Sequence, residues 1–323
     1  MTGHPGGSPV SAMPARRAGS IRRTTTHDST RPQGLDGPVA LVATGRDLLT
    51  GSDGTARELD AARIEALVDY GQIRILSFES FPPEPAFAAL AGKGAYAGFR
   101  KTVEEALPGE MDRHSVRAQL LDDLPPAVMA NGRSLRVEGK MMFGERKSDP
   151  RVDICAGYAE GGTLLSGFTD LGPPLQIGPP VPPLDGGDDP LAWHAFAPLP
   201  PHGTRRARRL DVWREADRGW ADCFFRDSHV DRHGHETVVH EWRLLAEIDL
   251  VRRLFVAVRA DAGPLPYPEC PGSGGSAARL AGMPIDGLRR AVRSTFVGPS
   301  TCTHLNDSYR AMEDVGVLID QIG

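Results

Sequence analysis

The chain has no run of about 18 apolar residues, so no segment reads as a membrane-spanning helix. Its start, "MTGHPGGSPVSAMPARRAGSIRR", lacks the apolar core of a secretory signal and reads as a flexible basic lead-in. Cysteine is scarce. Four widely spaced cysteines in 323 residues exclude a disulfide framework and favour a cytoplasmic setting, with reduced thiols free for metal or catalysis. Aromatics make up only 6%, and a formal charge of −5 gives no basic excess to recruit nucleic acid. Glycine (37) and proline (28) are plentiful, which implies long irregular segments.

Against that background the chain reads as one unit present twice. Leu90-Ala91-Gly92 recurs as Leu280-Ala281-Gly282. Tyr96, Phe99, Val103 and Leu107 keep the spacing of Ile285, Leu288, Val292 and Phe296, an apolar stripe on a helix. Pro284 suits the first turn of the later helix, and a histidine follows each stripe, His114 and His304. Upstream, Arg46-Asp47 precedes Asp53-Gly54 as Arg226-Asp227 precedes His233-Gly234. Ile64, Ala66, Val68 and Tyr70 alternate with polar residues, as do Trp242, Leu244, Ala246 and Ile248, and period two is the strand signature.

The expected fold class is therefore α+β, with two homologous repeats, each a separate layer of about four antiparallel strands followed by two or three helices. The boundaries are a lead-in over 1–18, a first repeat over 19–140, a Gly/Pro-rich connection over 141–204, and a second repeat over 205–323. The connection, "GPPLQIGPPVPPLDGGDDPLAWHAFAPLPPHG", reads as a semi-rigid linker, or as a strap crossing a pocket with Trp193 and His194 beneath it. "TRRARRL" after it reads as the solvated start of a strand.

The chemistry concentrates in the second half. Cys302 and His304 open a predicted helix that Ser300 or Thr301 caps, and a helix start draws a cysteine toward thiolate. Cys270 ends a strand-to-helix loop, and His240 opens the alternating strand. Two thiolates and two imidazoles suit tetrahedral zinc, or iron with an open position, so His240, Cys270, Cys302 and His304 are the candidate metal ligands. His240, His304 and Cys302 are the candidate catalytic residues, with a Cys302–His304 nucleophile pair as a separate possibility. The competing reading is a buried cysteine acting as a small hydrophobe beside a histidine satisfied by backbone. "DRHGH" reads as a hairpin turn at Gly234. "LLDDLPP" reads as a solvated helix end holding Asp122 and Asp123, and "YAEGGTLL" as a glycine-permitted turn near a pocket.

The His240 strand, "PYPEC" at Pro266–Cys270, "LAGMPIDGLRRAV" at Leu280–Val292 and "CTHL" at Cys302–Leu305 resemble a bacterial family catalogued as domain of unknown function 2889, over roughly 205–316. The first half and the proline-rich insert resemble its extended actinobacterial form. The layout is also distantly similar to iron–sulfur cluster assembly scaffolds. That likeness implies zinc or a nascent cluster at Cys270, Cys302 and His304, with His240 or Cys223 as fourth ligand, although the scaffolds place histidine and cysteine in direct succession. The resemblance implies fold kinship and no reaction. The expected function is an enzyme (hydrolase, lyase or isomerase) acting on a small, largely apolar molecule, metal-assisted by zinc or iron. The alternatives are a non-catalytic metal or sulfur carrier or partner-binding module, and a metal-independent isomerase, hydratase or cyclase of a lipid-like substrate.

Overall fold

The computed structural model describes residues 4–140, 151–169, 172–185, 187 and 189–322. The alternating segments are strands: β1 (Ser20–Thr30), β2 (Val39–Thr50), β3 (Ala56–Asp69), β4 (Arg74–Phe81), β5 (Thr204–Glu215), β6 (Arg218–Val230), β7 (Glu236–Asp249) and β8 (Leu254–Ala262). Ile64, Ala66 and Val68 on β3, and Trp242, Leu244, Ala246 and Ile248 on β7, are buried as their spacing requires. The two four-strand runs do not form separate layers. They make one antiparallel sheet in the order β4-β3-β2-β1-β5-β6-β7-β8. The joint is β1 against β5, from Ser20 opposite Trp213 to Ser29 opposite Thr204.

The helices are α1 (Phe99–Ala106), α2 (Val116–Ala130), α3 (Gly132–Val137), α4 (Thr163–Ser166), α5 (Leu288–Thr295), α6 (Thr303–Ala311) and α7 (Val315–Asp320), with short 3-10 segments over Pro85–Leu90 and Cys270–Leu280. None of the described helices is long and apolar enough to cross a membrane. Phe99 and Val103 bury the α1 stripe, and Ile285, Leu288, Val292 and Phe296 the later one, whereas Tyr96 stays 48% exposed. Pro284 falls short of α5. It makes a backbone bridge to Leu254, and Gly287, at φ 78°, starts the helix instead.

Two apolar cores form under the helices. One gathers Leu41, Ile64, Phe78, Phe99 and Leu120, the other Trp242, Leu244, Phe255, Leu288 and Tyr309. Between them the central strands are buried yet charged, and here two sequence expectations are overturned. "TRRARRL" is not solvated: Arg206, Arg208 and Arg209 are at most 3% exposed. Nor is "LLDDLPP" a solvated helix end, since Asp122 and Asp123 lie inside α2 with no exposure. The physical reason is the same for both. A charge can be buried when it is paired and hydrogen-bonded. Arg206 forks onto Asp227 and reaches Asp307 at 2.7 Å, and Arg208 holds Asp123 at 3.0 Å. Asp122 accepts from Arg100, from Arg293 at 3.0 Å and from Arg310 at 2.9 Å.

The opposite sheet face is covered by chain without regular structure. Trp193 packs with Met13, Leu184, Ala207 and Phe224, and His194 bonds Thr24 and Thr26 at 2.9 Å. Trp193 and His194 thus lie beneath an irregular cover, on the face away from the helices. Residues 4–18, read from sequence as a flexible lead-in, run along this face. The Val10 N–H donates to Glu241, and Arg16 pairs with Asp189. The proline-rich segment pairs with the start of β7: the Val238 N–H donates to Pro179 and the Val181 N–H to Glu236.

Candidate active site

Antiparallel pairing sets Asp227 on β6 directly opposite His240 on β7, and the register shifts immediately afterwards, so that Ser228 faces Val238. Val239 is the extra residue of this bulge, a device that re-aims side chains next to it. The first turn of α6 brings His304 over the pair. Its ring stacks on His240 with centroids 3.6 Å apart and planes 19° apart. His304 Nε2 lies 3.6 Å from Asp227 Oδ2. One donor atom from each of Asp227, His240 and His304 falls within 4.8 Å of the other two, the only such acid/His/Cys group among the described residues.

These three residues line a cavity of about 310 Å³. Cys155, Cys270 and Cys302 line it as well, with Tyr158, Tyr267, Met129, Leu164 and Pro173. The "YAEGGTLL" turn is therefore part of the wall, and the strap reaches it at Pro173. "DRHGH" is the β6–β7 turn, with Gly234 at φ 86°. All four expected ligands, His240, Cys270, Cys302 and His304, face this one cavity, but only the histidines enter the close donor group, and Asp227 completes it. Cys223 sits elsewhere, buried in the apolar core opposite Leu210 and Leu244, so it is no alternative ligand.

Electrostatics explain the division. Burial, then His304, hold His240 well below its usual pKa, and burial, then Arg206, take His304 down to about 4. Both imidazoles are neutral at pH 7, the form that binds a metal or accepts a proton. The thiols go the other way. Burial pushes Cys270 up to about 12 and also raises Cys302. Cys302 is itself the N-cap of α6, neither Ser300 nor Thr301 caps it, and desolvation outweighs the pull toward thiolate expected of a helix start. Its sulfur is 3.9 Å from His304 Nδ1, so the pair meets, but as a thiol beside an imidazole rather than as a thiolate nucleophile.

Sequence reading missed Asp227 as a site residue, although the repeated Arg-Asp pair had marked it. It also missed Arg133 and Arg136, which reach the cavity from α3. No local signal could have found those two, because 91 residues separate Arg136 from Asp227.

Residues 204–318 match the family described as "Protein of unknown function (DUF2889)". Those residues are a DUF2889 region. No curated protein and no solved structure matches the chain. The DUF2889 region supplies Asp227, His240, Cys270, Cys302 and His304, whereas Arg133, Arg136, Cys155 and Tyr158 come from outside it. The cavity wall is thus shared between the DUF2889 region and the rest of the chain.

Proposed function

We propose that the cavity is the active site of a metal-assisted enzyme acting on a small, largely apolar molecule, with Asp227, His240 and His304 as the ligands of zinc or iron. The observation that carries this reading is the convergence of one carboxylate and two neutral imidazoles on the wall of a cavity. Two histidines and a carboxylate form a donor set common to catalytic zinc and non-haem iron, because three protein ligands leave positions open to water or substrate. A Lewis-acidic ion there would polarise a substrate oxygen or lower the pKa of bound water. A cytoplasmic setting belongs to the same reading, supported by four unpaired thiols.

One feature supports a metal-independent alternative. Arg206 forks onto both oxygens of Asp227, at 2.9 and 2.8 Å, and so competes with an ion for that carboxylate. In that reading the neutral histidines act as proton acceptors. Elemental analysis of protein purified without added metal, repeated on His240→Ala and Asp227→Asn, separates the two. We expect near-stoichiometric zinc or iron in the wild type and its loss in both variants. A metal-free wild type that also fails to take up zinc or ferrous iron refutes metal assistance.

We also propose that the halves are homologous repeats. Asp47 faces Asp60 immediately before a register shift, as Asp227 faces His240 before its own. Arg23 on β1 forks onto Asp47 on β2, as Arg206 on β5 forks onto Asp227 on β6. In this reading the first half kept the Arg–Asp fork and has Asp60 at the place of His240. A crystal structure in which residues 20–130 and 205–318 fail to superpose refutes it.

A further inference from the structure

We propose that Arg133 and Arg136 form an anion clamp at the cavity, so that the molecule bound there is a small amphiphile carrying a carboxylate or phosphate group. The inference rests on the reading of this cavity as a ligand site, and it does not require a metal.

Both arginines project from α3, three residues apart and hence on one helix face, and both line the cavity. The buried arginines of β1, β5 and α6 are different. Arg23, Arg206, Arg208 and Arg310 are buried, and each sits on at least one carboxylate. Arg133 and Arg136 have none among the described residues. Each spends one Nη2 on a backbone carbonyl of the strap, Gln176 and Pro173 respectively, and leaves its buried Nε–H without a partner. Burial, then the like charge of Arg136, pull Arg133 down to about 10, and with no carboxylate on either side chain the two form a half-buried positive spot in the cavity wall.

Guanidinium groups recognise carboxylate and phosphate by forked, charge-assisted hydrogen bonds. Arg133 and Arg136 line the same cavity as Asp227, His240 and His304, so an anion held there shares that cavity with the Asp227–His240–His304 group. Met129, Ala130, Leu164, Pro173 and Pro266 supply apolar wall for the rest of the ligand. A volume of about 310 Å³ is at the lower end for ligand pockets and limits that body to a small one.

The test is titration calorimetry with benzoate, phenyl phosphate and benzamide, on metal-stripped protein and on His240→Ala. We expect at least one anion to bind about 10-fold or more tightly than the neutral amide, in both samples, and the preferred anion identifies the group. Arg133→Gln and Arg136→Gln should each remove most of that preference. The comparison of anion with amide on the unsubstituted chain keeps the test valid if a variant fails to fold. The clamp is overturned if neither anion beats benzamide, if both Gln variants keep the preference, or if chelation abolishes it. Because metal-stripped protein is used, a failure of metal assistance leaves the outcome readable.

Discussion

Replacing Asp122 by Asn keeps the shape of the side chain and deletes one fully buried charge on which three arginines converge. Asp122 belongs to α2 in the first half, whereas Arg293 and Arg310 belong to α5 and α6 in the second. Arg100 and Arg293 keep partial access to water, with side chains 26% and 44% exposed, and lose little. Arg310 is 7% exposed and retains Asp307, at 2.8 Å, as its one other ion pair among the described residues, so it bears most of the loss. Removing one partner of a buried ion pair costs about 3–5 kcal/mol. With an unfolding entropy of roughly 2.1 cal/mol/K per residue over 323 residues, the thermal midpoint should fall by about 4–7 °C. The pH dependence supplies a second check. Burial pushes the Asp122 carboxyl up, but Arg310, Arg100, Arg289 and Arg293 together hold it well below its ordinary value. A depressed carboxyl stabilises fully above its unfolded pKa, near 4, and loses that contribution as pH falls toward the folded value. The difference in melting temperature between wild type and Asp122→Asn, measured by calorimetry, should therefore be full at pH 7 and shrink below about pH 4. A drop under about 1 °C at pH 7, or a difference that grows on acidification, refutes the reasoning.

Two further outcomes are expected. A Cβ on Gly178 would lie 1.7 Å from the Val238 carbonyl oxygen, so Gly178→Ala must push the strap off β7. Limited proteolysis should then cut within 172–185 faster than in the wild type, and overpacking of this kind costs about 1–3 kcal/mol. For His194, burial, then Arg46 and Arg205, lower the pKa to about 3. The unfolded chain binds a proton near pH 6.5 that the folded chain refuses until about pH 3, so this group makes stability fall as pH drops through that window. His194→Gln should flatten the melting-temperature curve between pH 6.5 and 4, whatever the other histidines contribute; an unchanged slope counts against it.

The strands were legible because each outer strand buries one face. Ile64-x-Ala66-x-Val68 and Trp242-x-Leu244-x-Ala246 alternate for that reason alone. His240 and His304 were legible as residues of a type that a site needs. What stayed hidden depends on which strand lies beside which. "TRRARRL" is charged enough to read as solvated until β1 and α2 close over it. The carboxylate of Arg208 comes from Asp123, 85 residues away, and no local pattern reports such a partner. Cys302 was misjudged because the attraction of a helix start is visible in sequence, whereas the desolvation that defeats it depends on the assembled cavity.

The β1–β5 joint has a consequence for synthesis. Ser29 pairs with Thr204, 175 residues later in the chain. At about 5–20 residues per second on the ribosome, β1 waits roughly 10–35 s for its neighbour. During that interval the nascent first half displays an open strand edge, the kind of surface that templates aggregation. The sequence of β1, "SIRRTTTHDST", has one aliphatic side chain, Ile21, among eleven residues. A strand destined for the centre of the sheet thus carries the polar composition of an exposed edge, a composition that suits the interval before β5 is made.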